Sequence, residues 1–96
     1  MEYGSLLKML IRYLEDQKRS ARGNVVTVTV KKVRSYAGFR RLNPQMMGRV
    51  LDFYLTLLEV HGYCRSERRA RHKIYYFKKD DLDDAILYLK RYLGEG

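Results

Sequence analysis

The pair Asn43-Pro44, near the middle of the 96-residue chain, constrains the fold most, because it sets where a long helix can begin. Asparagine can accept hydrogen bonds from the free N–H groups of a first helical turn, and proline at the first helical position loses no hydrogen bond and has its φ already set. Gly62 is the corresponding stop signal. Apolar residues in between recur at spacings of three and four, which predicts a helix over 44–61. Its expected buried stripe consists of Met47, Val50, Leu51, Tyr54, Leu57 and Leu58.

Three elements are predicted before this helix. Residues 2–17 carry apolar side chains at helical spacing, which indicates an amphipathic helix. Gly23-Asn24 is a turn signal, and the β-branched run over 25–30 is typical of a short strand. Thr29 can cap a two-turn helix that ends before Gly38, a residue suited to the turn that follows a helix.

Two strands and a long connection are predicted after Gly62. Residues 63–65 and 73–77 have the composition of strands, and 66–72 are expected to form a long hairpin tip between them. Strand alternation puts Tyr75 and Phe77 on one face of the second strand and their neighbours on the other. At least one of these two sets must therefore belong to the core.

A last helix is expected to be capped by Asp80 or Asp81 and to run to Leu93. The predicted order is thus helix, strand, helix, helix, strand, strand, helix, which is an α+β arrangement. A chain of this length has room for one domain. That domain spans 1–96, with an N-terminal helix over 1–19, a core over 24–78 and a C-terminal helix over 80–94.

The basic residues, which outweigh the acidic ones by nine charges, are concentrated in two segments. Residues 17–49 contain nine Lys or Arg and no Asp or Glu, and residues 65–79 contain seven with a single acid, Glu67. Such segregation indicates a polyanionic partner, because each phosphate that is neutralised releases condensed counterions. An anionic membrane surface would attract the same charge. A merely solvated, highly charged surface is the plainer alternative, but it predicts mixed signs in each segment.

Several functional classes find no support in the sequence. The lone Cys64 cannot form an internal disulfide and is expected to be a packed small residue. Apolar runs are far shorter than the roughly 20 residues that cross a bilayer, and the first residues do not resemble a signal peptide. No nucleophile with its base, phosphate-binding glycine loop or HExxH pattern is present. We therefore expect a cytoplasmic protein without enzymatic activity, metal, cofactor, small-molecule ligand or membrane partner.

Two stretches together resemble the winged helix-turn-helix family of archaeal and bacterial transcriptional regulators. Val28-Thr29-Val30 leads into a short helix that ends in Ala37-Gly38-Phe39, like the first half of such a domain. Asn43-Pro44-Gln45-Met46-Met47 resembles the start of the family's recognition helix, and Leu57-Leu58 followed by Gly62-Tyr63 resembles its exit into the wing. The resemblance covers about residues 24–77.

Three features of the central helices bear on how closely the helices can pack. Arg34 occupies a position where the family usually has a small residue, and Arg40-Arg41-Leu42 lengthens the turn between the helices. Gly48 has two interpretations. It either packs tightly against the preceding helix or lets the helix backbone come close to a ligand.

The resemblance implies a winged helix-turn-helix fold with extended N- and C-terminal helices and double-stranded DNA as the partner. It places the first turns of helix 44–61 in the major groove, with Gln45, Met46 and Arg49 at base edges. The hairpin over 65–73 would be a basic wing on the phosphate backbone or in the minor groove. The residues expected at the backbone or minor groove are Arg65, Arg68, Arg69, Arg71, His72, Lys73, Lys31, Lys32, Arg40, Arg41 and Asn43.

The resemblance also implies a role in transcription regulation, close to the nucleoid. The N- and C-terminal helices match elements that such regulators use to dimerise, so a homodimer through these helices is expected. Two alternatives stay open. One is an RNA-binding or ribosome-associated winged helix, and the other is a protein-interaction module within a nucleic-acid-processing complex.

Overall fold

The computed structural model describes residues 2–37 and 43–94, which form four helices and three strands. Within these ranges the protein is α+β, and the order of the elements is the predicted one. The arrangement is compatible with a winged helix. The elements are α1 (Glu2–Ser20), β1 (Val25–Val28), α2 (Val30–Ala37), α3 (Pro44–Val60), β2 (Arg65–Arg69), β3 (His72–Lys78) and α4 (Lys79–Leu93).

The three strands form an antiparallel sheet in the order β1-β3-β2, with β3 in the centre. Val26 pairs with Phe77 and Val28 pairs with Tyr75, and all four side chains are buried. The expectation that one alternating set of β3 lies in the core is therefore confirmed. Because β3 is hydrogen-bonded on both sides, it holds the β2–β3 hairpin firmly against the rest of the domain.

Helices α1 and α4 pack against each other along their apolar stripes. Leu10 and Leu14 of α1 and Leu82 and Leu89 of α4 are completely buried. The contact is framed by a salt bridge between Lys90 Nζ and Glu15 Oε2 at 3.2 Å and by another between Lys18 and Asp83. The apolar stripes of these two helices, which were expected to form a homodimer, are thus buried against each other within one chain. The homodimer stays a prediction.

Most of the predicted helix ends are confirmed, because each depends on a hydrogen bond or dihedral angle close in sequence. Asn43 Oδ1 accepts from the Gln45 N–H at 2.8 Å, and Thr29 Oγ1 accepts from the Lys32 N–H at 3.1 Å. Gly62, with φ of 82°, follows α3, and Gly94, with φ of 93°, ends α4. A left-handed residue at such a position satisfies carbonyl groups that the last helical turn leaves free.

Other boundaries were predicted wrongly. β2 begins at Arg65 rather than at residue 63, and the connection to β3 is two residues long instead of seven. Strand pairing extends to the turn because each added residue gains ladder hydrogen bonds. α4 begins directly after β3 with Lys78 as its N-cap and no side-chain cap bond, so neither Asp80 nor Asp81 caps it. Both aspartates lie in the first turn, where their charge suits the helix dipole.

Several ionisable groups of the core are held in their neutral form. Burial raises the pKa of the Cys64 thiol to about 12, and Cys64 is packed, as predicted. Burial, and then a hydrogen bond to Asp52, raises the pKa of Tyr75 well above its usual range. The pKa values of Tyr13 and Tyr54 are raised by burial too. All four groups ionise more readily in the unfolded chain than in the folded protein.

We therefore expect alkaline pH to destabilise the fold. A raised folded-state pKa contributes stability that is complete below the unfolded value and is lost as the pH rises above it. The unfolded values are 9.0 for the thiol and 10.0 for the phenols. The urea midpoint should thus stay level to about pH 9 and fall beyond it. In a Cys64→Ala variant the fall should begin closer to pH 10, and a midpoint that is constant to about pH 11 would contradict the prediction.

Candidate nucleic-acid interface

The β2–β3 hairpin has two faces that differ in what they contact. In an antiparallel pair, directly opposite residues share a face, and here Ser66 lies opposite Tyr75 and Arg68 opposite Lys73. We call the β2–β3 hairpin the wing. Tyr75 is buried and Ser66 bonds to α3, so the inner face of the wing, formed by Ser66, Arg68, Lys73 and Tyr75, points towards α3. The outer face contains the alternate residues Arg65, Glu67, Arg69, Ile74 and Tyr76, together with His72, which lies beside the turn and also borders the cleft between the wing and α3.

An open cleft of about 670 Å³ lies between the inner face of the wing, the first half of α3 and the start of α2. Five of the residues that line it are lysine or arginine, and a single one, Asp52, is a carboxylate. The cleft is thus the place where the two basic segments of the sequence meet in space. The lining residues are Thr29, Val30, Lys31, Arg34, Gln45, Gly48, Asp52, Arg68, Arg71, His72 and Lys73.

Helix α3 presents a narrow stripe to this cleft. Gln45, Gly48 and Asp52 line it, at spacings of three and four. Met46 and Arg49 are exposed, but they lie further round the helix and outside the lining of the cleft. Of the three residues predicted to contact bases, the structure therefore brings Gln45 into the cleft and leaves the other two on the adjoining outward face, next to the half-exposed Phe53.

Two carboxylates of α3 hold the wing in place. Asp52 Oδ1 accepts a hydrogen bond from the Tyr75 hydroxyl at 2.6 Å, and Thr56 Oγ1 lies 3.3 Å from the same hydroxyl. Glu59 Oε2 accepts from the Ser66 hydroxyl at 2.6 Å. Sequence reasoning missed these contacts. The signal in the sequence was a set of polar residues, Asp52, Thr56 and Glu59. They are four and three residues apart, so they lie on one side of α3, outside its predicted buried stripe.

The remaining predicted contact residues are divided between several surfaces. Lys31 lines the cleft, whereas Lys32 is exposed and its Nζ lies 3.5 Å from Thr27 Oγ1, on the face of β1 opposite to the buried Val26 and Val28. Arg65 and Arg69 lie on the outer face of the wing, where Arg69 Nε pairs with Glu67 Oε1 at 2.7 Å. Asn43 caps α3. Arg40 and Arg41 lie outside the described residues.

Comparison with known proteins assigns no family to this arrangement. No protein-family model matches the chain, and no curated protein matches its sequence. Among residues 2–37 and 43–94, none of the helices has the length and apolar character needed to cross a bilayer. In the same ranges, no three His, Cys, Asp or Glu side chains are grouped so that they could hold a metal ion.

The turn of the wing carries backbone strain. It consists of Ala70 and Arg71. Ala70 has a φ of 52°, and among the described residues it is the only one besides glycines with a positive φ. A left-handed conformation costs an L-residue with a side chain about 1 to 2 kcal/mol. Two-residue hairpins with positive φ at the first turn position usually have glycine there. Ala70 therefore adopts, in the turn of the wing, a backbone conformation that is unfavourable for alanine.

Replacing Ala70 with glycine is expected to raise the free energy of unfolding by about 0.5 to 1 kcal/mol, because glycine adopts positive φ without steric cost. Urea unfolding followed by circular dichroism measures the change. Arg71→Gly is the matched control, since the φ of Arg71 is negative and glycine there only adds freedom to the unfolded chain. Equal effects of the two substitutions would contradict the assignment of strain to Ala70.

Proposed function

We propose that this chain binds double-stranded nucleic acid, with DNA as its main ligand, through α3 and the inner face of the wing. The observation that carries the proposal is the cleft in which five lysine or arginine side chains meet one carboxylate. Side chains that are distant in sequence converge there, which a merely solvated charged surface has no reason to do. A row of phosphates is the ligand that such a cleft fits best.

The shapes of α3 and the wing support a particular mode of binding. The major groove of B-form DNA admits one α-helix, and the outward face of α3, with Met46 and Arg49, is exposed along its first turns. Arg49 can pair with guanine, and Met46 can contact a thymine methyl group. Arg68 and Arg71 would then meet the phosphates at the edge of the groove. This mode agrees with the resemblance to winged helix-turn-helix regulators, and we include a role as a small transcriptional regulator in the proposal.

A membrane surface fits the charge distribution less well. The cleft is concave, and a flat bilayer would contact the projecting rim rather than the side chains inside it. Acidic residues also occupy part of the surface, since Asp83 and Asp84 of α4 are both exposed. Neither of these two acids lines the cleft.

Fluorescence anisotropy with three labelled probes tests the proposal at matched salt. The probes are a DNA duplex of about 24 base pairs, an RNA hairpin of equal charge and vesicles with anionic lipid. We expect the duplex to bind most tightly and its affinity to fall steeply with salt. Tighter binding of the RNA would favour the RNA-binding alternative, and absence of all binding at low salt would overturn the proposal in favour of a protein-interaction module.

Selection of bound duplexes from a random pool tests the finer claim of sequence preference. The parent chain should enrich a motif, and an Arg49→Ala variant should enrich it less or enrich a relaxed form. Failure of the parent to enrich any motif would leave duplex binding intact but would remove the regulator from the proposal. Light scattering on the same samples tests the homodimer, which should give twice the mass of the chain.

A further inference from the structure

A glycine lies inside the first half of the helix that borders the basic cleft. Gly48 is within α3 (Pro44–Val60), away from both of its ends. Glycine in such a position destabilises a helix relative to alanine, because it gives the unfolded backbone more freedom. A glycine is expected there only if packing, the backbone conformation or a ligand requires the absence of a side chain.

Packing does not require it. A Cβ atom placed on Gly48 would meet one heavy atom within 4 Å, Val30 Cγ1, at 3.8 Å. That is an ordinary van der Waals distance, so the contact between α2 and α3 can accommodate a methyl group. The backbone does not require glycine either, since positive φ is found at Gly62 and Gly94 but not here. The interpretation of Gly48 as a tight packing residue is therefore wrong.

The surroundings of Gly48 point to a ligand instead. Gly48 lines the cleft together with Lys31 and Arg34 on one side and Arg68 on the other. Its neighbours on the helix face are Gln45 and Asp52, one turn before and one turn after it. The absence of a side chain leaves a notch in the wall of α3 at the point where cationic side chains converge from two other elements.

We propose that this notch seats a phosphate of one nucleic-acid strand, so that Gly48 is a positioning residue for the sugar–phosphate backbone. The inference rests on the proposed function and adds to it the position of one phosphate of the duplex relative to α3. One strand runs through the cleft between α3 and the wing, with a phosphate against Gly48 and within reach of Arg68 and Lys31. The bases then face the outward side of α3, where Met46 and Arg49 lie.

A Gly48→Ala variant separates this role from a structural one, because the two effects of the substitution have opposite signs. The added methyl group should stabilise α3 and raise the Tm by about 4 to 8 °C. The same group would displace the phosphate and weaken binding to the DNA duplex of the anisotropy assay about tenfold or more, as expected for the loss of one charge-assisted contact. The slope of log K against log salt should become shallower by about 0.9.

Gly4→Ala is the matched control, since it also lies in a helix and its added Cβ would meet one heavy atom, Leu93 Cδ1, at an ordinary contact distance of 3.9 Å. It should leave duplex affinity and salt slope unchanged. If the parent binds the duplex and Gly48→Ala binds it equally well with the same slope, the notch does not hold a phosphate and this inference is overturned, while the proposed function stands. If the parent itself does not bind, the proposed function fails first. A lower Tm for Gly48→Ala would also overturn the inference, because it would show that packing requires the glycine.

Discussion

Replacement of both Arg68 and Arg71 with alanine is expected to weaken duplex binding about 10- to 100-fold near physiological salt. Both arginines line the cleft between α3 and the wing, where their guanidinium groups can reach phosphates. Each lost phosphate contact should also reduce the slope of log K against log salt by about 0.9, so the double variant should be shallower by up to about 1.8. Anisotropy titrations over a series of salt concentrations measure both quantities.

The outer face of the same hairpin supplies the matched control. Arg65→Ala combined with Arg69→Ala removes the same number of charges, but these side chains lie on the other face of the wing, and Arg69 is paired with Glu67. Both double variants lower the net charge equally, so a difference between them must come from position. We expect the outer-face variant to bind within about threefold of the parent, because distant exposed charges are screened. Equal losses would show that net charge, and not the cleft, drives binding.

The single acid of the cleft, Asp52, is expected to have opposite effects on stability and on binding. Asp52→Ala removes the acceptor of the hydrogen bond from the Tyr75 hydroxyl, and Tyr75 is completely buried. An unsatisfied buried hydroxyl costs about 1 to 3 kcal/mol, so the free energy of unfolding should fall by that amount. The loss lies towards the lower end if the Thr56 hydroxyl, at 3.3 Å, takes over as partner. Urea unfolding measures the change.

Asp52→Asn distinguishes the hydrogen bond from the charge. Asparagine keeps an oxygen that can accept from Tyr75, so stability should fall less than in the alanine variant. It also removes the negative charge from a cleft that otherwise carries cations, and duplex affinity should rise about 3- to 10-fold at low salt. Equal stability of the two variants would show that Tyr75 does not depend on Asp52. Unchanged affinity of the asparagine variant would mean that phosphates do not come near this residue.

Local signals in the sequence predicted most of the elements correctly. The caps at Thr29 and Asn43 and the glycine that follows α3 each depend on contacts within a few residues, so these helix ends could be inferred without knowledge of the fold. The two basic segments were visible for the same reason, since charge is counted along the chain. The missed boundaries lie where two elements meet. α4, for example, follows β3 without a connecting turn, and its N-cap is the last strand residue.

The division of the wing arginines could not be predicted in the same way. A shift of strand register by one residue moves every side chain to the other face, and register depends on the turn and on the partner strand. The sequence indicated a seven-residue tip in which all the arginines were equivalent. The two-residue turn at Ala70 and Arg71 instead assigns Arg68 to the cleft and Arg69 to the outer face. The role of Gly48 was open for a similar reason, because the atoms that a Cβ would meet there depend on where α2 packs against α3.

The sequence by itself determined that this chain is α+β, that a long helix begins at Asn43-Pro44 and that its positive charge is concentrated in two segments. These properties follow from short-range hydrogen bonding, periodicity and charge count. Only the tertiary structure decided which cations share one cleft, that Asp52 and Glu59 attach the wing to α3, and that Gly48 faces the cleft with room to spare. The physical reason is that these relations join α2, α3 and the wing, whose relative positions are set by packing in the common core.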